Sequence, residues 1–225
     1  MILWVVKVGT SLLRGDKDHP TANVIEGFSE AIAQCHKKGD RVVEVGCVEL
    51  FNHVSTGKNL QFYCSTDRII SEDARKITGL SNSFLNKFPA FSKQAESFLD
   101  FIKDDTLIIH NADFDIGFLN NELKLAGLKK IENRVVDTVA LARKTLNTRI
   151  ANLDSLCKRF SIDLTQRKLH GALLDCQLLA EVYLELLGGK QTSLELKHKH
   201  GGENKKKTTE NITKKIHVID LEKAE

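Results

Sequence analysis

The segment TLIIHNADFDIGFLNNEL, residues Thr106 to Leu123, shows the fold class most clearly. It begins with an apolar segment typical of a short strand buried on both faces, and it ends in the apolar spacing of a helix. A polar cluster, His110 to Asp115, lies between the two, at the carboxyl end of the predicted strand. Sites in α/β proteins usually lie at that end of a sheet. The alternative is that Asn111 and Asp113 only cap the helix.

Strand and helix patterns alternate over residues 41 to 188 in the same way. Val42 to Leu50 and Leu60 to Cys64 indicate a hairpin, with turn formers from Asn52 to Asn59 around Thr56–Gly57 between the two strands. Val135–Val136 indicates a second buried strand. Helices are predicted from Pro89, after His110, from Thr138, from Asn152 and from Gly171 to Leu187. Hairpin strands followed by this alternation predict an α/β fold with a mixed sheet flanked by helices.

The composition excludes several classes of protein. The chain has 225 residues, and 33 Lys and Arg against 30 Asp and Glu give a formal charge of +3, which by itself does not indicate nucleic-acid binding. No apolar run approaches the roughly 20 residues that a membrane helix needs, so no membrane partner is expected. The five cysteines include no CxxC pair, which is typical of free thiols in a reducing cytoplasm.

A second candidate segment is HGALLD, His170 to Asp175, where His170 precedes the last predicted helix. Asp175 has apolar neighbours, so an inward-facing carboxylate there needs a cation or a hydrogen-bond donor as partner. The alternative is an acid on the outer face of the helix.

The two segments together suggest a reaction class. Carboxylates from separate elements can hold two divalent ions about 4 Å apart, and a nearby histidine can take the proton from the attacking water. Oxygen ligands without a thiolate favour Mg²⁺ or Mn²⁺ over zinc. The predicted chemistry is hydrolysis of a phosphodiester.

From about residue 39 to residue 196 the chain resembles the epsilon proofreading subunits of bacterial DNA polymerase III, which belong to the DnaQ-like 3′–5′ exonucleases. The motifs that carry the resemblance are VVEVGCVE (42–49), HNADFDIGFLNNEL (110–123), VDT (136–138), NLDSLC (152–157) and HGALLD (170–175). The resemblance implies a ribonuclease H-like mixed sheet flanked by helices and cleavage at DNA 3′ ends with Mg²⁺ or Mn²⁺ in a two-metal site.

The resemblance also implies roles for single residues. Asp115 and Asp175 match catalytic metal ligands of the family, His170 matches its general base, and Asp137 matches a further acid near the site. Asp73 and Thr78 stand where the family usually has a Glu and a His that touch the terminal nucleotide. Asn111 and Asp73 are accordingly the predicted substrate-binding residues.

The family's first motif, an Asp-x-Glu on the first strand, has no counterpart here. The equivalent strand, Trp4 to Leu13, carries no such pair, and residues 1–41 resemble instead the start of glutamate 5-kinase, an amino-acid kinase. The matching loop residues are Lys7, Gly9, Thr10 and Ser11, and a helix is predicted from Thr21. We therefore expect a kinase-like strand and helix at 1–41, an exonuclease domain at 42–190 and a flexible basic tail at 191–225.

The missing motif predicts weak or absent nuclease activity. Two divalent ions bring four positive charges, against which Asp115 and Asp175 supply two negative ones. If Lys7 lies where the family has its Asp, its ammonium opposes metal binding further. Asp16 and Asp18 have the spacing of a replacement pair, but they lie in a predicted loop that contains Gly15. The alternatives are an inactive subunit that binds clamp and polymerase and, more remotely, an amino-acid kinase fragment.

The tail adds predicted partners. Gln191, Leu194 and Leu196 resemble the short peptide with which epsilon subunits bind the sliding clamp, although the segment also fits a simple linker. Residues 197–215 are rich in lysine and are predicted to be disordered, either as a basic arm near nucleic acid or as a solvated tether. The resemblance further implies a DNA 3′ end and the polymerase III alpha subunit as partners, in the bacterial cytoplasm.

Overall fold

Five strands form one mixed sheet in the computed structural model, which describes residues 1–10, 41–70 and 72–188. In chain order they are β1 (Ile2–Thr10), β2 (Val42–Phe51), β3 (Val54–Tyr63), β4 (Thr106–Ile109) and β5 (Val135–Asp137). They lie in the order β3-β2-β1-β4-β5. β1 pairs antiparallel with β2 and parallel with β4, so the predicted mixed sheet is confirmed.

β1 is the central strand, and its alternating side chains enter both cores. Trp4, Val6 and Val8 pack on one face of the sheet, and Leu3 and Val5 pack on the other. All five are buried, as expected for a strand covered on both sides. An apolar strand can therefore fill this sheet position without the family's usual first motif.

Seven α-helices cover the sheet within the described residues. They are α1 (Glu72–Thr78), α2 (Asn82–Leu85), α3 (Ala95–Ile102), α4 (Ala112–Leu125), α5 (Thr138–Leu146), α6 (Leu153–Arg159) and α7 (Ala172–Leu186). The predicted cap of α6 is confirmed, since the Asn152 side chain accepts a hydrogen bond from the Ser155 backbone amide at 2.9 Å. The predicted start of the last helix is confirmed as well, since α7 begins directly after Gly171. No helix of the described part is long and apolar enough to cross a membrane.

The helix predicted from Pro89 begins later than expected. Phe91–Lys93 forms a single 3₁₀ turn, and α3 starts only at Ala95. Gln94 separates the two, and its side-chain amide donates to the Tyr63 carbonyl at 2.8 Å. This contact with the sheet fixes the start of α3, and local periodicity does not contain it.

The hairpin is confirmed, and its turn lies at the start of the predicted segment Asn52 to Asn59 rather than around Thr56–Gly57. The turn consists of Asn52 and His53, whose φ angles are 49° and 65°, and β3 starts at Val54. Two left-handed residues in succession form the tight turn whose twist suits a hairpin, and Asn tolerates that conformation. Gly57, with a φ of 79°, lies inside β3, where the pairing with β2 shifts register.

Several predictions concern residues outside the described ranges. They are the helix from Thr21, Asp16 and Asp18, the clamp-type peptide and the disordered tail. The free thiols are confirmed where they are described: Cys47, Cys64, Cys157 and Cys176 are buried and unbridged.

Candidate active site at the carboxyl ends of β1 and β4

The parallel pairing of β1 and β4 brings Lys7 next to the start of α4. Lys7 Nζ lies 2.9 Å from Oδ1 and 3.1 Å from Oδ2 of Asp115. The backbone amide of Val8 donates to the same Oδ1 at 2.8 Å. The Asp115 side chain is completely buried, and that of Lys7 is 23% exposed. Both oxygens of a predicted metal ligand are therefore bonded to one ammonium.

The charge states of this pair depend on burial and on mutual attraction. Burial alone lowers the pKa of Lys7, but the charge of Asp115 and its hydrogen bonds outweigh burial, so the pKa of Lys7 lies above its ordinary value. Burial raises the pKa of Asp115, and Lys7 and the Val8 amide oppose that rise. The short contact with an ammonium of raised pKa indicates an ion pair.

Asp175 lies on the first turn of α7, where the helix packs closely on β2. Its side chain is buried, and Arg167 grips it with two parallel hydrogen bonds, from Nε to Oδ1 at 2.7 Å and from Nη2 to Oδ2 at 2.9 Å. The requirement that an inward-facing Asp175 have a cationic partner is thus met, and the alternative of an acid on the outer face is excluded.

Arg167 also contacts the other members of this segment. Its Nη2 lies 2.9 Å from Nδ1 of His170, and its Nη1 donates to Asp154. Because a guanidinium can only donate, Nδ1 of His170 accepts, which places the proton of the neutral ring on Nε2. In this arrangement the hydrogen bond from Arg167 uses Nδ1, the accepting nitrogen of the predicted base His170.

The turn after β4 is held by the side chain of Asp137. Asn111 has a left-handed conformation (φ 66°, ψ 62°), and its side chain makes no cap hydrogen bond, so the capping alternative fails for this residue. The backbone amide of Asn111 donates to Asp137 Oδ1 at 3.1 Å, and the same oxygen accepts from the Val139 backbone amide at 2.8 Å. Asp137 therefore ties β5 to the turn and caps α5.

His110 directly follows β4, and the charges of Lys7, Asp137 and Asp175 act on its ring. Its Nδ1 is 2.9 Å from the hydroxyl of Thr138. Burial, together with the charge of Lys7, lowers the pKa of His110 to about 4, so the ring is neutral near pH 7.

Two residues of the site were missed at the level of sequence, Arg167 and Glu44. Glu44 is 1% exposed, and its Oε1 accepts from Gln61 Nε2 at 2.9 Å. Burial raises the pKa of Glu44, and the charge of Asp175 contributes. Glu44 could have been found as an acid within the apolar run Val42 to Leu50. Arg167 gave no such signal, because it is a single arginine in a polar loop.

The predicted acids act electrostatically on the same two side chains, Lys7 and His110. The pKa of Lys7 responds to the charges of both Asp115 and Asp175, and that of His110 responds to Asp137 and Asp175. Yet within the described ranges no three His, Cys, Asp or Glu side chains come together as metal ligands. The donor set does not fit a two-metal site, because resident cations hold the oxygens of Asp115 and Asp175.

The predicted substrate contacts are only partly described. Asp73 lies in α1, but its side chain is outside the described part of the structure. Thr78 uses its hydroxyl locally, since Oγ1 donates to the Ala74 carbonyl at 2.8 Å. Gln191, Leu194 and Leu196 fall outside the described residues.

The sheet order and the acids at its strand ends define a ribonuclease H-like nuclease fold, and solved structures share it. The nuclease domain of 3′hExo, a DEDDh family member bound to rAMP, aligns with a TM-score of 0.64 at 14% identity over 83% of this chain and 91% of that domain. Exonuclease X in complex with 5′ overhanging duplex DNA gives 0.57 at 18% identity over 82% and 90%. At these identities the likeness concerns the fold alone.

Sequence comparison defines the family. The exonuclease family model matches residues 29–183. DNA polymerase III subunit epsilon of Rickettsia felis is 48% identical over 164 residues, 71% of this chain and 72% of the relative. The same subunit of Escherichia coli K12 is 42% identical over 163 residues, 71% and 67% of the two chains. The chain therefore belongs to the exonuclease family, among the DNA polymerase III epsilon subunits. The likeness of residues 1–41 to an amino-acid kinase stays a prediction.

Proposed function

We propose that this chain is an epsilon-type subunit of a bacterial DNA polymerase III that acts in the cytoplasm at DNA 3′ ends with weak or no 3′–5′ exonuclease activity. The names of its relatives support the assignment to the polymerase, and a fold neighbour with bound DNA supports the class of substrate. The proposed organisation is a kinase-like segment at 1–41, an exonuclease domain at 42–190 and a tail at 191–225.

The contact of Lys7 with Asp115 carries the proposal of weak activity. In any residual activity Asp115 and Asp175 would be the ligands of Mg²⁺ or Mn²⁺, His170 would transfer the proton, and Asn111 and Asp73 would contact the substrate. A metal at Asp115 requires oxygens that the ammonium now holds at 2.9 and 3.1 Å. A carboxylate whose two oxygens are shared with a fixed cation is a poor ligand for a second one.

The test is release of mononucleotides from a 3′-labelled single strand with Mn²⁺ or Mg²⁺, comparing the full chain with its Asp175→Ala variant. We expect little release and no difference between the two chains. Exonuclease X on the same substrate serves as the positive control. Robust cleavage that disappears in Asp175→Ala contradicts the proposal.

A second candidate function is that of a non-catalytic subunit that joins polymerase and clamp. The ion pairs at Asp115 and Asp175 favour it, because they compensate the buried acids within the folded chain itself. In this proposal Gln191, Leu194 and Leu196 bind the clamp as an extended peptide, and a second contact with the alpha subunit adds strength through tethering.

Surface plasmon resonance on immobilised clamp tests this function with the full chain and a Gln191→Ala, Leu194→Ala variant. We expect measurable binding by the full chain and a loss of at least about tenfold in the variant, because two anchors are removed. Equal binding by both chains contradicts the assignment of the peptide.

A further inference from the structure

We propose that Lys7 is a resident counter-ion that takes the place of a divalent metal at Asp115, so that the identity of residue 7 decides whether this pocket binds a metal. This inference rests on the proposed function, because it explains the weak activity by a specific contact. It further predicts that one substitution converts a metal-independent pocket into a metal-dependent one.

The first step of the argument is the position of Lys7 on the sheet. Lys7 and Gly9 follow Leu3 and Val5 at two-residue steps on β1, so both positions face the side of the sheet that α7 covers, and Asp115 reaches Lys7 from the first turn of α4 at the end of the strand. Gly9 pairs with Glu44 on β2, and a Cβ at Gly9 would lie 3.2 Å from that of Glu44. Lys7 and Gly9 thus hold two positions of one strand face that points at buried acids.

The second step is the completeness of the contact. One ammonium touches both oxygens of Asp115, and the Val8 amide adds a third hydrogen bond. The carboxylate is fully buried, and an isolated charge in such a place is strongly unfavourable. Lys7 therefore neutralises the buried charge of Asp115, as a bound metal ion does in a metal site, but with a cation that belongs to the chain.

The third step is the set of acids that remains if Lys7 is replaced. Glu44 lies across the β1–β2 pairing on the same strand face as Lys7, so an acid at position 7 adds a carboxylate beside Asp115 with Glu44 on the neighbouring strand. Such a set of oxygen ligands suits a hard divalent ion. A neutral side chain at position 7 removes the ammonium without adding a ligand, which separates the two effects.

The experiment uses the full chain and its Lys7→Asp and Lys7→Met variants, titrated with Mn²⁺ alone by calorimetry, electron paramagnetic resonance and thermal unfolding. We expect no saturable site and a shift of less than about 1 °C in Tm for the original chain and for Lys7→Met. We expect Lys7→Asp to have a lower Tm than the original chain without metal and to gain about 3–6 °C at ten times its Kd.

Lys58→Asp controls for the change in net charge. Lys58 lies on β3 with a half-exposed side chain 3.7 Å from Glu49. Its replacement by aspartate reverses the same charge at a position that does not contact Asp115. We expect no Mn²⁺-dependent shift in this variant.

Saturable Mn²⁺ binding by the original chain that Lys7→Asp does not strengthen overturns the inference, and so does a folded Lys7→Asp chain without a Mn²⁺ site. If Lys7→Asp does not fold without metal, refolding on addition of Mn²⁺ supports the inference, and failure to refold overturns it. The proposed function fails separately, through DNA cleavage by the original chain, which the Mn²⁺ titration does not measure.

Discussion

Replacing Gly46 by alanine tests the close packing of α7 on β2 that positions Asp175. A Cβ at Gly46 would lie 2.6 Å from the Ala172 carbonyl carbon and from the Leu173 amide nitrogen, both of them backbone atoms. Ordinary contact begins at 3.4 Å, so helix and strand must separate by 3.4 − 2.6 = 0.8 Å. The Sγ of Cys176 donates to the Gly46 carbonyl at 3.1 Å, and the separation strains this bond as well.

The expected cost of Gly46→Ala is about 1–3 kcal/mol, which is the usual range for an overpacked core. In a domain of this size that cost lowers Tm by roughly 2–12 °C. The assay is thermal and urea unfolding of the full chain. Gly171→Ala is the matched control, since no atom lies within 4 Å of its Cβ position and its φ of −86° suits alanine. We expect the control to cost less than about 1 kcal/mol.

A Gly46→Ala chain with an unchanged Tm would refute the reasoning, because the packing distance leaves no room for a methyl group unless the backbone moves. An equal loss in Gly171→Ala would also refute it, since the effect would then come from the start of the helix rather than from the contact with β2.

Two further predictions concern buried charges. Arg41→Met removes the cation from the Glu122 carboxylate, which is 2% exposed and keeps a hydrogen bond from the Val42 backbone amide. We expect the free energy of unfolding to fall by about 2–4 kcal/mol, a range discounted for the 30% exposure of Arg41. Urea unfolding in a double-mutant cycle with Glu122→Gln checks it, and additive effects contradict the pairing. His110 binds a proton less readily when folded (pKa about 4) than when unfolded (about 6.5). Stability therefore falls by up to about 3 kcal/mol between pH 6.5 and 4, a slope that His110→Gln reduces; an unchanged slope in that variant argues against the assignment.

Local patterns predict most elements because local rules govern them. The apolar run before His110, the cap at Asn152 and the strand at Val135 are read from neighbouring residues, and all are found in the structure. The same local patterns did not locate the hairpin turn, since Thr56–Gly57 also has the composition of a turn. The choice between Asn52 and Gly57 depends on how β2 and β3 align across the sheet, which neither segment contains alone.

The order and spacing of the motifs are enough to predict the family, and they also reveal that the first strand lacks the acidic pair. The sequence also required a partner for an inward-facing Asp175, since a buried charge is costly wherever it lies. The cations that pair with the two acids depend on tertiary packing: Lys7 is 108 residues away from Asp115, and Arg167 reaches Asp175 from the loop before α7. Such pairings depend on strand register and on the distance between helix and sheet, and these are properties of the packed chain rather than of any local segment.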